Sequence, residues 1–256
     1  RADNLSFAYP SSDVLHNVSF GVRAHQMVAV LGPNGSGKTT LLRCINRILK
    51  PAEGSVLVDD RELSQVTPRQ IAREVAYVAQ HSEPARITAF DAVLLGRKPY
   101  FGFGASADDM TRTHEVISLL GLNDLALRSV DQMSGGEYQK VCIARALVQE
   151  PTVMLLDEPT SSLDLRNQLE ILTLVRRIVS TRRMCAVIAI HDLNTAFRFC
   201  DTFLFLKNGY IEAVLDRSEI RAGVIERIYD VRVSVHWHDD RPYVVPEEQY
   251  EGVANG

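Results

Sequence analysis

Val28-Ala29-Val30-Leu31-Gly32-Pro33-Asn34-Gly35-Ser36-Gly37-Lys38-Thr39-Thr40-Leu41-Leu42-Arg43-Cys44-Ile45 places an apolar run, a glycine-rich turn and a helical run in immediate succession. The apolar residues read as a buried strand and the residues after Lys38 as a helix. Gly32 to Thr39 fits GxxxxGK[ST] in the setting where that pattern binds phosphate, after a strand and before a helix. The glycines let backbone N–H groups converge on an anion, and the helix N-terminus adds positive partial charge. Lys38 then reaches the β and γ phosphates and Thr39 ligates Mg²⁺. Gly32, Pro33, Asn34, Gly35, Ser36, Gly37, Lys38, Thr39 and Thr40 form the expected nucleotide-contacting set. A bare glycine-rich turn is the bland alternative, and the flanking strand and helix weigh against it.

Working outward, Val153 to Leu156 and Ala186 to Ile190 are further apolar runs, separated from the first by long helical patterns. This alternation predicts an α/β fold with parallel strands and ligands at their C-terminal edge. The run Val153-Met154-Leu155-Leu156 delivers two adjacent carboxylates, Asp157 and Glu158. Alternation along a strand sends successive side chains to opposite faces, so the pair should do different work. Asp157 would hold Mg²⁺ or its water, and Glu158 would polarise an attacking water as general base. Alone, such a pair is most often a solvated strand end.

At Met133-Ser134-Gly135-Gly136-Glu137 two glycines open a helix with apolar positions at Val141, Ala144, Leu147 and Val148. Ser134 and the free N–H groups beside it form a second anion site, although an ordinary N-capped helix would have the same pattern. One chain thus carries two phosphate sites for one nucleotide.

With 46% hydrophobic residues among 256, the chain can bury one large core. Its 28 Lys plus Arg against 32 Asp plus Glu, a net charge of −4, offer no attraction for polyanions, so no nucleic-acid partner is expected. No apolar stretch approaches the roughly 18 to 20 residues that span a bilayer. The polar start Arg1-Ala2-Asp3-Asn4 lacks a secretory apolar region and an initiator Met, so a trimmed cytosolic chain is expected. Cys44, Cys142, Cys185 and Cys200 show no metal or disulfide spacing and read as buried thiols. From about Pro84 to Glu150 strand-like runs give way to helical patterns. Beyond Ile211, Ser218 to Tyr229 reads as a short helix, Val231 to Trp237 as a strand, and Pro246 to Gly256 as loose. His236 and His238 alternate on that strand and face one side with or without a metal. His16, His25, His81 and His114 carry no assignment.

These motifs, in this order, resemble the ABC ATPase family over about Leu5 to Val214. The resemblance implies a P-loop NTPase (RecA-like) α/β core with an antiparallel β-subdomain and an inserted helical subdomain. The core would take about 1–84 and 151–215, the helical part about 85–150 and a C-terminal extension about 216–256, all within one domain. It implies ATP and Mg²⁺ as cofactors and a second copy of the chain as partner, paired head to tail around ATP. In that pairing Ser134, Gly135 and Gly136 of one copy cover the other's nucleotide; Met133 stands where Leu is usual. Tyr9 would stack on adenine. Ser161-Ser162-Leu163-Asp164 resembles the loop that communicates across the dimer, with Ser162 where Ala is commoner. Gln80, after Val75-Ala76-Tyr77-Val78, matches the glutamine that senses the γ-phosphate and Mg²⁺ and links to the membrane subunit. His191 matches the switch histidine.

The family resemblance further implies transmembrane permease subunits, indirectly a substrate-binding protein, and a peripheral place on the cytoplasmic face of the inner membrane. Phe90-Asp91-Ala92-Val93-Leu94-Leu95-Gly96-Arg97-Lys98-Pro99-Tyr100 is the expected docking segment, with Arg97 its key charge. That segment, with Tyr229-Asp230-Val231 and Pro242-Tyr243-Val244-Val245-Pro246, resembles the importer subgroup for ferric siderophores, haem, cobalamin and related chelates. A soluble ABC ATPase of translation or DNA repair, or a P-loop small-molecule kinase, would compete. The first would carry two cassettes or a long coiled coil, and the second would lack the Ser134 helix.

Overall fold

A computed structural model describes residues 1–80 and 82–247. The chain opens with β1 (Ala2–Tyr9), β2 (Ser12–Phe20) and β3 (Met27–Leu31), followed by α1 (Lys38–Ile45), β4 (Glu53–Val58), β5 (Arg61–Glu62), α2 (Pro68–Glu74) and β6 (Val75–Val78). The middle is helical, with α3 (Ala89–Leu94), α4 (Ala107–Leu119) and α5 (Gly135–Leu147). Strands return with β7 (Val153–Asp157), α6 (Leu165–Thr181), β8 (Cys185–Ala189), α7 (Leu193–Phe199), β9 (Thr202–Lys207) and β10 (Tyr210–Asp216). The chain's last described elements are α8 (Ala222–Tyr229), β11 (Val233–His238) and β12 (Arg241–Pro246).

The central sheet has the order β10-β9-β3-β8-β7-β6, parallel throughout except for β10. A second, antiparallel sheet runs β2-β1-β4-β5. Alternation in the central strands divides the apolar side chains between two cores. Met27, Ala29, Leu31, Met154, Leu156, Phe203 and Phe205 join the helices on one face. Val28, Val30, Leu155, Leu204 and Leu206 face the antiparallel sheet and α1 on the other. Both faces are covered, which explains why these strands are apolar at every position rather than at every second one.

Helix starts follow side-chain chemistry. Ser106 before α4 and Ser134 before α5 each form a capping box, with Asp109 and Glu137 respectively. Asp164 caps α6 through Asn167 N–H, and Asp192 caps α7 through Thr195 N–H. Along α6, Ile171, Leu172, Val175, Ile178 and Val179 are buried at helical spacing, which seats it on the sheet.

Three expectations change. Arg97 is 3% exposed and cannot present a charge to a partner. Gly96 lies so close to α5 that an added Cβ would meet Arg145 O at 2.1 Å, and this close approach draws Arg97 inside. There its Nε donates to Asp109 Oδ1 at 2.9 Å, its Nη1 donates to Glu150 Oε2 at 3.0 Å, and its guanidinium covers the Tyr100 ring. In the tail, the strand begins at Val233 rather than Val231, because Asp230 ends α8 in the left-handed region at φ 58°. Pro246 closes β12 instead of opening a loose tail, and residues 248–256 lie outside the described residues. The extension is not an appendage: Ile225, Ile228, Val233 and Val244 sit in the core on the helical face of the sheet.

Candidate functional site

Parallel pairing of β3, β8, β7 and β6 as consecutive neighbours brings four strand ends to one edge of the sheet. There β3 delivers the turn Gly32–Gly37, β7 delivers Asp157 and Glu158, and Gln80 and His191 follow two residues after β6 and β8.

The turn needs glycine at its two ends. A Cβ at Gly32, at φ 144°, would sit 1.9 Å from Leu206 O. Gly37, at φ 103°, is the N-cap of α1 and provides no side-chain cap, so the helix's first N–H groups face the turn. Lys38 is 6% exposed, and its Nζ donates to Gly32 O and Pro33 O, each at 2.9 Å. Burial pushes its ammonium below the ordinary lysine range, against the pull of Glu158 and Asp157. Ser36 Oγ is buried inside the turn with no protein partner. Converging N–H groups, an ammonium and an orphaned hydroxyl are the donor set that phosphate oxygens require.

Asp157, 1% exposed, accepts from Thr39 Oγ1 at 2.9 Å and from Tyr77 Oη at 2.8 Å. Hydroxyl and carboxylate oxygens side by side suit a hard cation such as Mg²⁺, so Thr39 and Asp157 fit that ion, with Gln80 within the same cluster. Glu158, 9% exposed, turns away from Asp157. The strand ends at Asp157, and Glu158 adopts φ 47°, so the separation of the two carboxylates comes from a left-handed residue rather than from continued alternation. Glu158 Oε2 accepts from Gln80 Nε2, while Oε1 meets Nε2 of His191, itself 46% exposed.

The second anion-type site lies elsewhere. Ser134 and Gly135 are exposed at the start of α5. Ser134 N–H and Oγ both donate to Glu137 Oε2 at 2.8 Å, which holds the Glu137 carboxyl below the usual range. Gly136 is buried against α6, where a Cβ would meet Asn167 Oδ1 at 2.6 Å. Asp164, also exposed, accepts from Asn167 N and Nδ2 at 2.8 and 2.9 Å. Ser134, Gly135, Gly136 and Asp164 thus form one surface, and Lys38, Thr39, Gln80, Asp157, Glu158 and His191 form another. Tyr9, 37% exposed at the end of β1, packs edge-on against Phe7.

Two residues of this region escape the sequence reading. Tyr77 binds Asp157, and burial raises its phenol to about 12, with Arg43 pulling the other way. A phenol interrupting an aliphatic strand just before Gln80 was the available signal. Tyr138 on α5 donates to Ser82 O at 3.1 Å and contacts Ser82 Oγ at 2.8 Å, tying the segment after Gln80 to the Ser134 helix. No local pattern announces that contact. A half-open pocket of about 310 Å³ lies at the other strand ends, lined by Val56, Val153 and Cys185, and contains none of the site residues.

Residues 15–161 match the family described as ABC transporter. An uncharacterised ABC transporter ATP-binding protein of Methanocaldococcus jannaschii is 45% identical over 95% of this chain and 96% of its own length. The hemin import ATP-binding protein of Rhodopseudomonas palustris is 37% identical over 96% and 97%. Among solved structures, an inward-facing metal-chelate type ABC transporter aligns with TM-score 0.83 at 26% identity, covering 96% of each chain. A dimeric ATP-binding cassette bound to ADP and Pi aligns at 0.72 and 28%, covering 84% of this chain and 97% of that one.

Proposed function

The chain belongs to the ABC transporter family, and from that premise we propose that it is the subunit that binds and hydrolyses ATP to energise a membrane importer. The observation that carries this is the closed group Gln80, Glu158 and His191 at the sheet edge beside Thr39 and Asp157. In that group Glu158 accepts the proton of the attacking water, and Gln80 and His191 hold its two oxygens in place. Lys38 exchanges its two carbonyl partners in the turn for phosphate oxygens, and its burial strengthens that contact. Thr39 and Asp157 would hold Mg²⁺, which would supply charge neutralisation at the phosphates. Tyr9 offers its ring to adenine.

Ser134, Gly135, Gly136 and Asp164 act on the nucleotide of a second copy, so the working unit is a head-to-tail homodimer. This rests on the exposure of Ser134, Gly135 and Asp164, on the separation of the group from the first cluster, and on the dimeric relative described above. The permease contact falls to the exposed members of the segment near Gln80, Asp91, Leu95 and Lys98, since Arg97 is buried. The cassette thus sits peripherally at the cytoplasmic membrane face, with a substrate-binding protein engaged only through the permease. The proposed cargo class is a metal chelate, such as a ferric siderophore, haem or cobalamin, supported by the hemin-import and metal-chelate relatives.

The test is reconstitution in lipid vesicles with the membrane subunits that co-purify with the chain. ATP turnover should rise on assembly, and uptake of chelated metal should require ATP. Turnover indifferent to the membrane subunits but stimulated by ribosomes or DNA would instead favour the soluble ATPase.

A further inference from the structure

The C-terminal hairpin touches the helix that follows the proposed switch histidine. Asn194, three residues after His191, binds both backbone groups of one residue in β12: its Oδ1 accepts Val244 N–H at 2.7 Å and its Nδ2 donates to Val244 O at 3.1 Å. An amide in this position acts as a one-residue strand on the edge of β12 that β11 does not occupy. Val244 is 6% exposed while Asn194 lies at the surface, so breaking the pair removes these side-chain partners from a buried residue's backbone N–H and C=O. Helix α7 is only seven residues long and starts from the Asp192 cap, so a shift at Asn194 is transmitted to His191 within one turn. The same extension is anchored independently. Lys207 Nζ donates to Arg227 O at 2.7 Å and to Asp230, and Tyr229 Oη is buried near the Gly32 backbone without a hydrogen-bond partner among the described residues.

We propose that Asn194 is a positioning residue: clamped to Val244 of the C-terminal hairpin, it fixes the start of α7 and thereby holds His191 on Glu158. The claim rests on the ATPase reading above for its catalytic consequence, and on geometry alone for its mechanical one. In this arrangement the extension braces the catalytic edge from behind, through α7 on one side and the Gly32 turn on the other.

The experiment uses the full chain and two variants. Asn194→Ala removes both bonds, while Asn194→Asp keeps the acceptor for Val244 N–H. Misplacing a catalytic group by a fraction of an ångström to an ångström costs up to about a hundredfold, so Asn194→Ala should lower kcat roughly tenfold. KM for ATP should stay within about twofold, because the Gly32 turn and Lys38 are not touched. Asn194→Asp should recover part of kcat. Hydrogen exchange of residues 191–198 should accelerate in Asn194→Ala, with residues 38–45 unchanged. Wild-type kcat together with wild-type exchange in Asn194→Ala overturns the proposal. A fall in kcat that merely follows a lower Tm, accompanied by a raised KM and no recovery in Asn194→Asp, also overturns it by making the residue structural. A wild-type chain that hydrolyses no ATP overturns the proposed function alone. Exchange then decides, and unchanged rates around His191 refute the clamp.

Discussion

The sheet-edge cluster and the Ser134 turn are both proposed to meet phosphate, yet they are finished to different degrees. Asp157 and Glu158 are almost fully buried, and each oxygen of each carboxylate meets a side chain of the same chain. Ser134, Gly135 and Asp164 are exposed, and their bonds are spent on capping their own helices. On the proposed function, the first region holds its geometry in place by itself, and the second is a surface that acts on an opposing molecule. Pre-organised charge belongs where chemistry happens, because a buried carboxylate without partners would change its protonation state instead. A surface proposed to release its partner each cycle cannot be buried in the same way.

Four substitutions bear on this contrast, in descending order of expected effect. Glu158→Gln attacks the closed region. ATP binding should persist and turnover should fall about a hundred- to ten-thousandfold, the range of a positioned general base. Undiminished hydrolysis in a steady-state assay would remove Glu158 from that role and break the contrast at its root.

Arg97→Ala loosens the support beneath the open region, since it strips a buried Asp109 of its counter-charge under α5. Unfolding free energy should drop by about 3–5 kcal/mol. Denaturant titration checks this, and a selective loss of transport at wild-type stability would restore Arg97 to a docking role.

Ser134→Arg places a charge on the open surface. ATP-dependent pairing should weaken by about 3 kcal/mol or more, as desolvated or like-charge contacts at interfaces cost several kcal/mol, while binding of ATP to a single copy persists. Light scattering that shows a normal ATP-bound dimer would mean the surface does not face a partner.

Glu137→Gln gives the smallest effect, under about 1 kcal/mol. The Glu137 carboxyl is depressed below its ordinary 4.5 by Ser134. Its contribution is therefore complete above that ordinary value and is lost as pH falls through the depressed one. The variant should flatten this acid limb in a stability–pH profile, leaving neutral pH nearly unchanged.

Much of the closed region was legible because its parts are local. A strand followed by Gly32–Thr39 and a helix, and a strand ending in Asp157-Glu158, are written in adjacent residues whose spacing sets their geometry. Asp157 and Glu158 were rightly expected to part, but the means is φ 47° at Glu158, which alternation does not foretell. Tyr77 was passed over as one more strand residue. The open region is legible as a capped helix and a candidate second anion site; its exposure, and the way Gly136 admits Asn167, required the fold. Arg97 was misjudged for the same reason, since nothing in its neighbourhood along the chain says that Asp109 and Glu150 converge on it.

By itself, the sequence determined the glycine-rich turn, the strand-end carboxylates, the helix caps and the α/β class, because each depends on residues within one or two turns or strands. Only the tertiary structure decided that β6, β7, β8 and β3 lie side by side, so that Gln80, Glu158 and His191 meet across 111 residues of chain. It also decided that Arg97 is inside and that the C-terminal hairpin reaches Asn194. Those outcomes follow from which apolar faces pack together, a property shared among distant segments and therefore carried by no single stretch.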